Sequence, residues 1–415
     1  MKFGLFYELQ LPKPADRDDW GPDDERRIYH DMLDQVALAD RLGFDYVFEV
    51  EHHFLEEYSH SSAPELMMAA LSQRTKRIRL GHGIVLTPPR YNHPARVAER
   101  IAALDILSDG RVEFGTGESA SEMELGGFGV ERRLKKSMWE EATREIANMM
   151  ASAPYQGFEG EHFSMPARNV IPKPLQKPHP PLWVAASRRE TTMVAARLGM
   201  GSLGFGFETP EELGERALEY YRLVREELMP IGHAINPALA VLNTFMMADT
   251  DEEAMRRSAN GPAFFSYSLG YYYNPAVGGA HRPGRGHVYR DFLARSGETA
   301  ELQAQRGGFL SPAEIASGEP QDEIQKALYR AARSGNAIGS AETLRRTLMK
   351  YEARHLDVMI FVAQCGDRSH EHIMESIETF GRELLPEFKE RHRDIHQPWR
   401  AGQLQGVEFP INSTV

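Results

Sequence analysis

Three consecutive residues, Glu51-His52-His53, carry the side-chain types best suited to moving a proton in this 415-residue chain. They close an apolar, β-branched and aromatic run, Phe44 to Val50, that reads as a buried strand, and a carboxylate with two imidazoles is too polar to stay inside a core unpaired. The strand therefore delivers them to an edge. Imidazoles with an ordinary pKa of about 6.5 exchange protons around neutral pH, which suits acid–base catalysis. The competing reading is a pair of hydrogen-bonded surface histidines. Adjacent strand residues face opposite ways and a third ligand at metal-binding spacing is missing, so no metal site is expected.

Three further stretches carry chemistry or packing with equal claim. Gly115-Thr116-Gly117-Glu118-Ser119 lets backbone approach a ligand closely, or simply makes a tight turn. Ser187-Arg188-Arg189-Glu190 has the form of a capping box, and the same helix start with two arginines would attract a phosphate. The aromatic stretch Phe264 to Tyr273 is either internal packing or the apolar wall of a substrate pocket.

The elements that must hold these residues alternate. Helical spacing over Glu25–Leu42 stops at Gly43, the strand to Val50 follows, then a helix from Ala63 and a strand over Arg77–Leu86. Further strands are expected at Phe3–Tyr7, Arg111–Gly115, Leu182–Ala186, Ser202–Phe207, Leu239–Met247 and Leu356–Val362, with a small hairpin over Tyr155–Phe163. Eight strands mostly separated by helices close most simply as a (β/α)8 barrel, whose catalytic groups stand at the C-terminal ends of its strands. Residues 1–390 are expected to form one domain with a long insertion at about 250–338 over the mouth, and 391–415 a polar C-terminal tail.

Sixty acidic against 48 basic residues give a net charge of −12, which disfavours nucleic acid and anionic membrane surfaces as partners. One cysteine, Cys365, excludes an internal disulfide, and no apolar run reaches the roughly 20 residues of a membrane span. With a strand starting at the N-terminus in place of a secretory signal, a cytoplasmic protein is expected.

Several ordered segments together resemble the bacterial luciferase-like, flavin-dependent monooxygenase family. They are Met1-Lys2-Phe3-Gly4, Gly43-Phe44-Asp45 leading to Glu51-His52-His53-Phe54, His93 to Glu99, Leu104-Asp105 through Ser108-Asp109-Gly110-Arg111 to Gly115, the Pro/Gln strap before Leu182, and Gly339-Ser340 with Glu342. The resemblance implies a TIM barrel that takes reduced FMN from a separate NAD(P)H:flavin reductase and, with O2, inserts one oxygen atom into a small organic substrate, working as a homodimer. By position it makes His52 the catalytic histidine and His53 its neighbour that helps set the site. It places Gly83 and Ile84 at a bulge against the isoalloxazine, Gly117 beside the flavin, and the Ser187 hydroxyl on the phosphate. Bacterial luciferase has a phosphate-binding arginine on the strand 4 loop, where this chain has Glu118; the cation is therefore expected from Arg188 or Arg189. The alternatives are a deazaflavin-dependent hydride-transfer enzyme of the same superfamily and a flavin-binding protein without catalysis.

Overall fold

The computed structural model describes residues 1–186, 188–205, 209–258, 260–273, 286–295 and 337–415. In chain order the first half runs β1 (Lys2–Tyr7), α1 (Asp24–Leu42), β2 (Tyr46–Glu49), α2 (Pro64–Arg74), β3 (Arg79–Leu86), α3 (Pro94–Leu107), β4 (Val112–Gly117), α4 (Glu122–Phe128) and α5 (Lys135–Ala151). An antiparallel hairpin, β5 (Tyr155–Glu159) and β6 (Ser164–Arg168), precedes β7 (Leu182–Ala185), α6 (Arg189–Arg197), β8 (Gly201–Phe205), α7 (Pro210–Glu226) and β9 (Leu239–Met247). Then come α8 (Asp251–Arg257), α9 (Gly261–Tyr273), β10 (Ala337–Gly339) and β11 (Val358–Val362), with a further helix at His370–Glu383.

Strands β1, β2, β3, β4, β7, β8, β9 and β11 pair in parallel, and the β8–β9 pairing closes them into a ring; β10 adds to β9 outside it. This is a (β/α)8 TIM barrel, and its eight ring strands are the eight expected from the sequence. Alternation along each strand makes the two faces. Phe6, Tyr46, Phe48, Ile84, Trp183, Leu203, Leu242 and Ile360 fill the interior, whereas Phe3, Leu5, Val47, Leu80, Val241 and Phe361 pack against the helices. Helix α1 stops where Gly43 takes a left-handed φ of 95° and its N–H bonds the carbonyls of Ala39 and Asp40.

Two departures from expectation have local causes. The strand run from Phe44 pairs only over Tyr46–Glu49, because the backbone N–H of Phe44 still caps α1 through Ala39. The stretch 391–415, expected as a polar tail, continues helical over His392–His396 and Gln397–Gln403. Its end lies on the barrel floor, where the Thr414 hydroxyl donates to buried Glu113 at 2.6 Å.

The floor also holds a buried carboxylate with several partners, Asp357 at the foot of β11. Asp357 accepts from the Tyr221 hydroxyl at 2.8 Å, the Leu239 N–H at 2.7 Å and His396 Nε2 at 2.7 Å. Burial pushes its pKa upward, but His396, Arg400 and the Leu239 N–H outweigh that and hold it below the usual carboxylate value. A lowered pKa adds stability above the unfolded value of about 3.9 that is lost as pH falls through the folded one. Asp357→Ala is expected to cost about 3–5 kcal/mol at pH 7 by urea unfolding, because two hydroxyl or ring donors and an amide lose their acceptor. The difference from wild type should shrink as pH falls below about 4; a constant difference would contradict the assignment.

Candidate active site

The end of β2 delivers both histidines to the C-terminal mouth, and their rings go to different partners. His52 Nδ1 lies 2.9 Å from Glu124 Oε1 on α4, and its Nε2 lies 3.5 Å from Glu8 Oε2, the residue that follows β1. The Tyr273 hydroxyl, from the last residue of α9, stands 3.3 Å from the same Nε2. His53 Nε2 meets Glu51 Oε1 at 3.1 Å, and its ring packs edge-on against Phe128. Glu51 is itself fixed by the Leu86 N–H and by Asn92 Nδ2, both at 2.8 Å. So Glu51 orients His53, two residues along and on the same side, and not His52.

Glu124 is saturated. Its Oε1 accepts from His52 and from the His53 N–H at 2.9 Å, and its Oε2 from the Ser119 hydroxyl. Burial raises the Glu124 pKa, but these donors outweigh it and hold the carboxyl below its ordinary range. Burial alone would lower His52; the carboxylates of Glu124, Glu8 and Glu51 instead lift it to about 9. His52 is therefore an imidazolium at neutral pH, more strongly protonated than the ordinary value suggested. Its side chain keeps 13% of its surface exposed, so the cation remains reachable from the mouth.

Backbone strain collects here. Leu9, Phe54, Glu56 and Ser119 have φ of 51°, 65°, 28° and 62°, a left-handed region that costs residues with a Cβ energy and concentrates at functional sites. Each lies within two residues of a ring-contacting group or, for Ser119, donates to one: Leu9 follows Glu8, Phe54 follows His53, Glu56 precedes Tyr58 and Ser119 holds Glu124.

Of the residues expected to hold a cofactor, three come together. Between His82 and Val85 the register of β3 against β4 slips by one residue, a bulge containing Gly83 and Ile84. A Cβ on Gly117 would lie 2.6 Å from Ile84 Cδ1, and the Ile84 carbonyl accepts the Glu51 N–H at 2.9 Å, so bulge and histidine strand are directly joined. Ser187 lies outside the described residues. Arg188 is the exposed N-cap residue of α6, and Arg189 donates to Glu219 Oε2 at 2.5 Å. Glu118 turns its carboxylate to Lys135 Nζ at 2.7 Å, which removes the repulsion that it would otherwise impose on an anion. Among the described residues no three His, Cys, Asp or Glu side chains are gathered to hold a metal ion. A separate cavity of about 430 Å³, lined by Lys13, Arg27, Asp31 and Arg368, includes neither histidine.

Sequence reasoning missed Glu8, Glu124, Tyr58 and Ser119. Glu8 lies just past the apolar pattern of β1, and Gly126-Gly127 interrupts the helical pattern of α4. A signal for α4 exists in Ser121-x-x-Glu124, a capping-box form; Ser121 does cap Met123, while Glu124 leaves the box for His52. In the aromatic stretch 264–273, Phe264 packs against Tyr289 and Phe292, as internal packing requires, and Tyr273 and Phe265 reach His52 and Tyr58.

The elevated His52 value has a stability consequence. A raised folded pKa adds stability that is complete below the ordinary value of 6.5 and is lost as pH rises through about 9. Glu8 and Glu49, raised to about 7 and 8, also lose stability with rising pH; Glu8 has largely finished by pH 8, and the remaining Glu49 contribution is common to wild type and a His52 variant. Between pH 8 and 9.5 unfolding free energy of wild type should therefore fall, relative to His52→Gln, by up to roughly 1.4 kcal/mol per pH unit. Parallel curves for the two proteins in urea titrations would contradict the elevated value.

Proteins of similar sequence and fold include flavin-dependent and F420-dependent enzymes. The chain is 25% identical over 401 residues to the oxygenase component of flavin-dependent trigonelline monooxygenase from Acinetobacter baylyi, covering 95% of this chain and 97% of that one. Its fold superposes with a TM-score of 0.66 and 19% identity on the FMN complex of the oxygenating constituent of 3,6-diketocamphane monooxygenase, a type II Baeyer-Villiger enzyme of Pseudomonas putida, covering 93% and 98% of the two chains. An F420-dependent secondary alcohol dehydrogenase in complex with an F420-acetone adduct gives a TM-score of 0.61 at 16% identity, covering 92% and 98%. The family model of luciferase-like monooxygenases matches residues 1–357, most of the chain, and the chain belongs to that family.

Proposed function

We propose that the protein is the oxygenase of a two-component flavin monooxygenase, using reduced FMN and O2 to place one oxygen atom in a small organic substrate, with His52 the catalytic acid–base residue. The observation that carries this reading is the placement of His52, clamped at the mouth between Glu124 and Glu8 and next to Glu51, whose N–H bonds the Ile84 carbonyl of the bulge. Bound reduced flavin would supply the electrons that activate dioxygen. The bulge and Gly117 would hold the ring system, and the α6 start with Arg188 would hold the phosphate, where first-turn amides and a guanidinium favour an anion. The neutralised Glu118 is compatible with that anion.

His52 Nε2 is the nitrogen left to face reactants, since Nδ1 is held by Glu124. Tyr58, Phe265 and Tyr273 wall the space beside it and help keep water out. A separate NAD(P)H:flavin reductase is proposed as partner, in keeping with the relative named as an oxygenase component. A cytoplasmic homodimer is proposed as the working form; Leu66 on α2 and Ile106 and Leu107 near the end of α3 offer exposed apolar surface for it. No helix among the described residues is long and apolar enough to cross a membrane. The competing reading is hydride transfer with coenzyme F420, as in the superposed alcohol dehydrogenase. The three carboxylates around the mouth, Glu8, Glu51 and Glu124, suit a polyanionic cofactor tail less well.

Anaerobic titration should show tighter binding of reduced than of oxidised FMN, and NADH should be consumed only when a flavin reductase is added. Binding of reduced F420 in preference to reduced FMN would move the protein to the hydride-transfer class. Arg188→Ala is expected to weaken reduced FMN roughly 10-fold or more, the scale of a lost charge-assisted hydrogen bond, with a smaller loss for Arg189→Ala because Glu219 already engages that side chain. Equal affinities of wild type and Arg188→Ala would remove Arg188 from the site. His52→Ala should retain fold and flavin binding and lose roughly 10²-fold or more of turnover under excess reductase; wild-type turnover there would remove His52 from the catalytic role.

A further inference from the structure

The two carboxylates that grip His52 are not equivalent. Glu124 is fully hydrogen-bonded and holds Nδ1, so the proton on that nitrogen is fixed. Glu8 is buried at 1% exposure, and only one of its oxygens is satisfied: Oε1 accepts from the Tyr58 hydroxyl at 2.9 Å, whereas Oε2 has no hydrogen bond and faces His52 Nε2 at 3.5 Å. An unsatisfied carboxylate oxygen in a buried site is costly, and the strained turn at Leu9, locked by the Ser59 hydroxyl on the Glu8 carbonyl at 2.7 Å, keeps it there.

We propose that Glu8 is a positioning residue that sets the acid strength of His52 and returns a proton to its Nε2 after each transfer. The catalytic meaning rests on the role given to His52 above; the coupling of the two side chains does not.

The groups facing this pair come from every neighbouring element: Glu51 and Tyr58 from the β2 loop, Glu124 from α4 and Tyr273 from α9. Glu8 itself changes charge near neutrality. Burial lifts it to about 7, against the opposing pull of His52 and the Tyr58 hydrogen bond. With Glu8 ionised, the ring sits between two anions and keeps its proton. With Glu8 protonated, one anion is gone and Nε2 releases its proton more readily. The ring then gives the Nε2 proton to an acceptor in the mouth and becomes neutral, still carrying hydrogen on Nδ1. The Glu8 carboxyl proton moves from Oε2 to Nε2, leaving a carboxylate and restoring the imidazolium, and a solvent proton restores Glu8.

The test needs neither flavin nor substrate. In the full chain labelled with ¹⁵N-histidine, the His52 ring signals are identified by their absence from His52→Gln and followed with pH. Wild type should titrate near pH 9 with a smaller displacement near pH 7 from Glu8. The near-isosteric Glu8→Gln should abolish the displacement and lower the ring titration by about 1 unit or more, while Glu8→Asp should keep the displacement. Tyr58→Phe, which removes the donor on Oε1 and not the carboxylate, should move the displacement to higher pH and carries the test if Glu8→Gln does not fold. An unchanged His52 titration in Glu8→Gln, or an unmoved displacement in Tyr58→Phe, overturns the proposal. Coupling seen here with full turnover in His52→Ala would sink the catalytic role of His52 and leave the Glu8 pairing standing.

Discussion

The contact between His52 and Glu124 is the constraint on which the mouth depends. A buried cation and a buried carboxylate are each expensive to desolvate, and together they are stable only when their geometry is good and the remaining oxygens find donors. That requirement explains features that otherwise look unrelated. Ser119 takes a left-handed turn to bring its hydroxyl to Glu124, Ser121 caps α4 so that the helix starts there, and the His53 amide faces the same carboxylate. Gly127 leaves room for the Phe54 ring, whose Cε2 would lie 2.4 Å from an added Cβ, so α4 can seat against the β2 loop. Remove the ion pair and little reason remains for this arrangement.

Two carboxylates at the floor contrast with Glu8 at the mouth. At the floor, Asp357 is surrounded by donors from α7, β9 and the C-terminal helices, and Glu113 binds Arg79, Trp183 and Thr414. Their partners are complete, as expected of groups that stabilise the ring. At the mouth, Glu8 Oε2 is left without a hydrogen bond and His52 stays partly open. Incomplete satisfaction there gives a site that can exchange protons, at the expense of local stability.

The ring was legible because periodicity and helix stops are short-range: Phe3 to Tyr7, the run after Gly43 and Leu239 to Met247 each carry their own pattern. His52 and His53 were legible for the same reason, since a polar triplet at the end of an apolar strand announces an edge. Glu8 and Glu124 were not, because their roles exist only across 44 and 72 residues of sequence, where β1 and α4 converge on β2. The Ser-x-x-Glu form at Ser121 shows the limit: local spacing marks a helix start, and only tertiary position decides whether its glutamate caps the helix or holds a histidine.

The most direct measurement of the central claim is rapid mixing of the protein–reduced FMN complex with oxygenated buffer, monitored through the flavin absorbance and hydrogen peroxide release. A monooxygenase mouth that shields the flavin should delay the return of oxidised FMN, in a separate phase from oxygen consumption, and His52→Ala should alter that delay. Oxidation of the complex at the rate and with the peroxide yield of free reduced FMN would contradict the account.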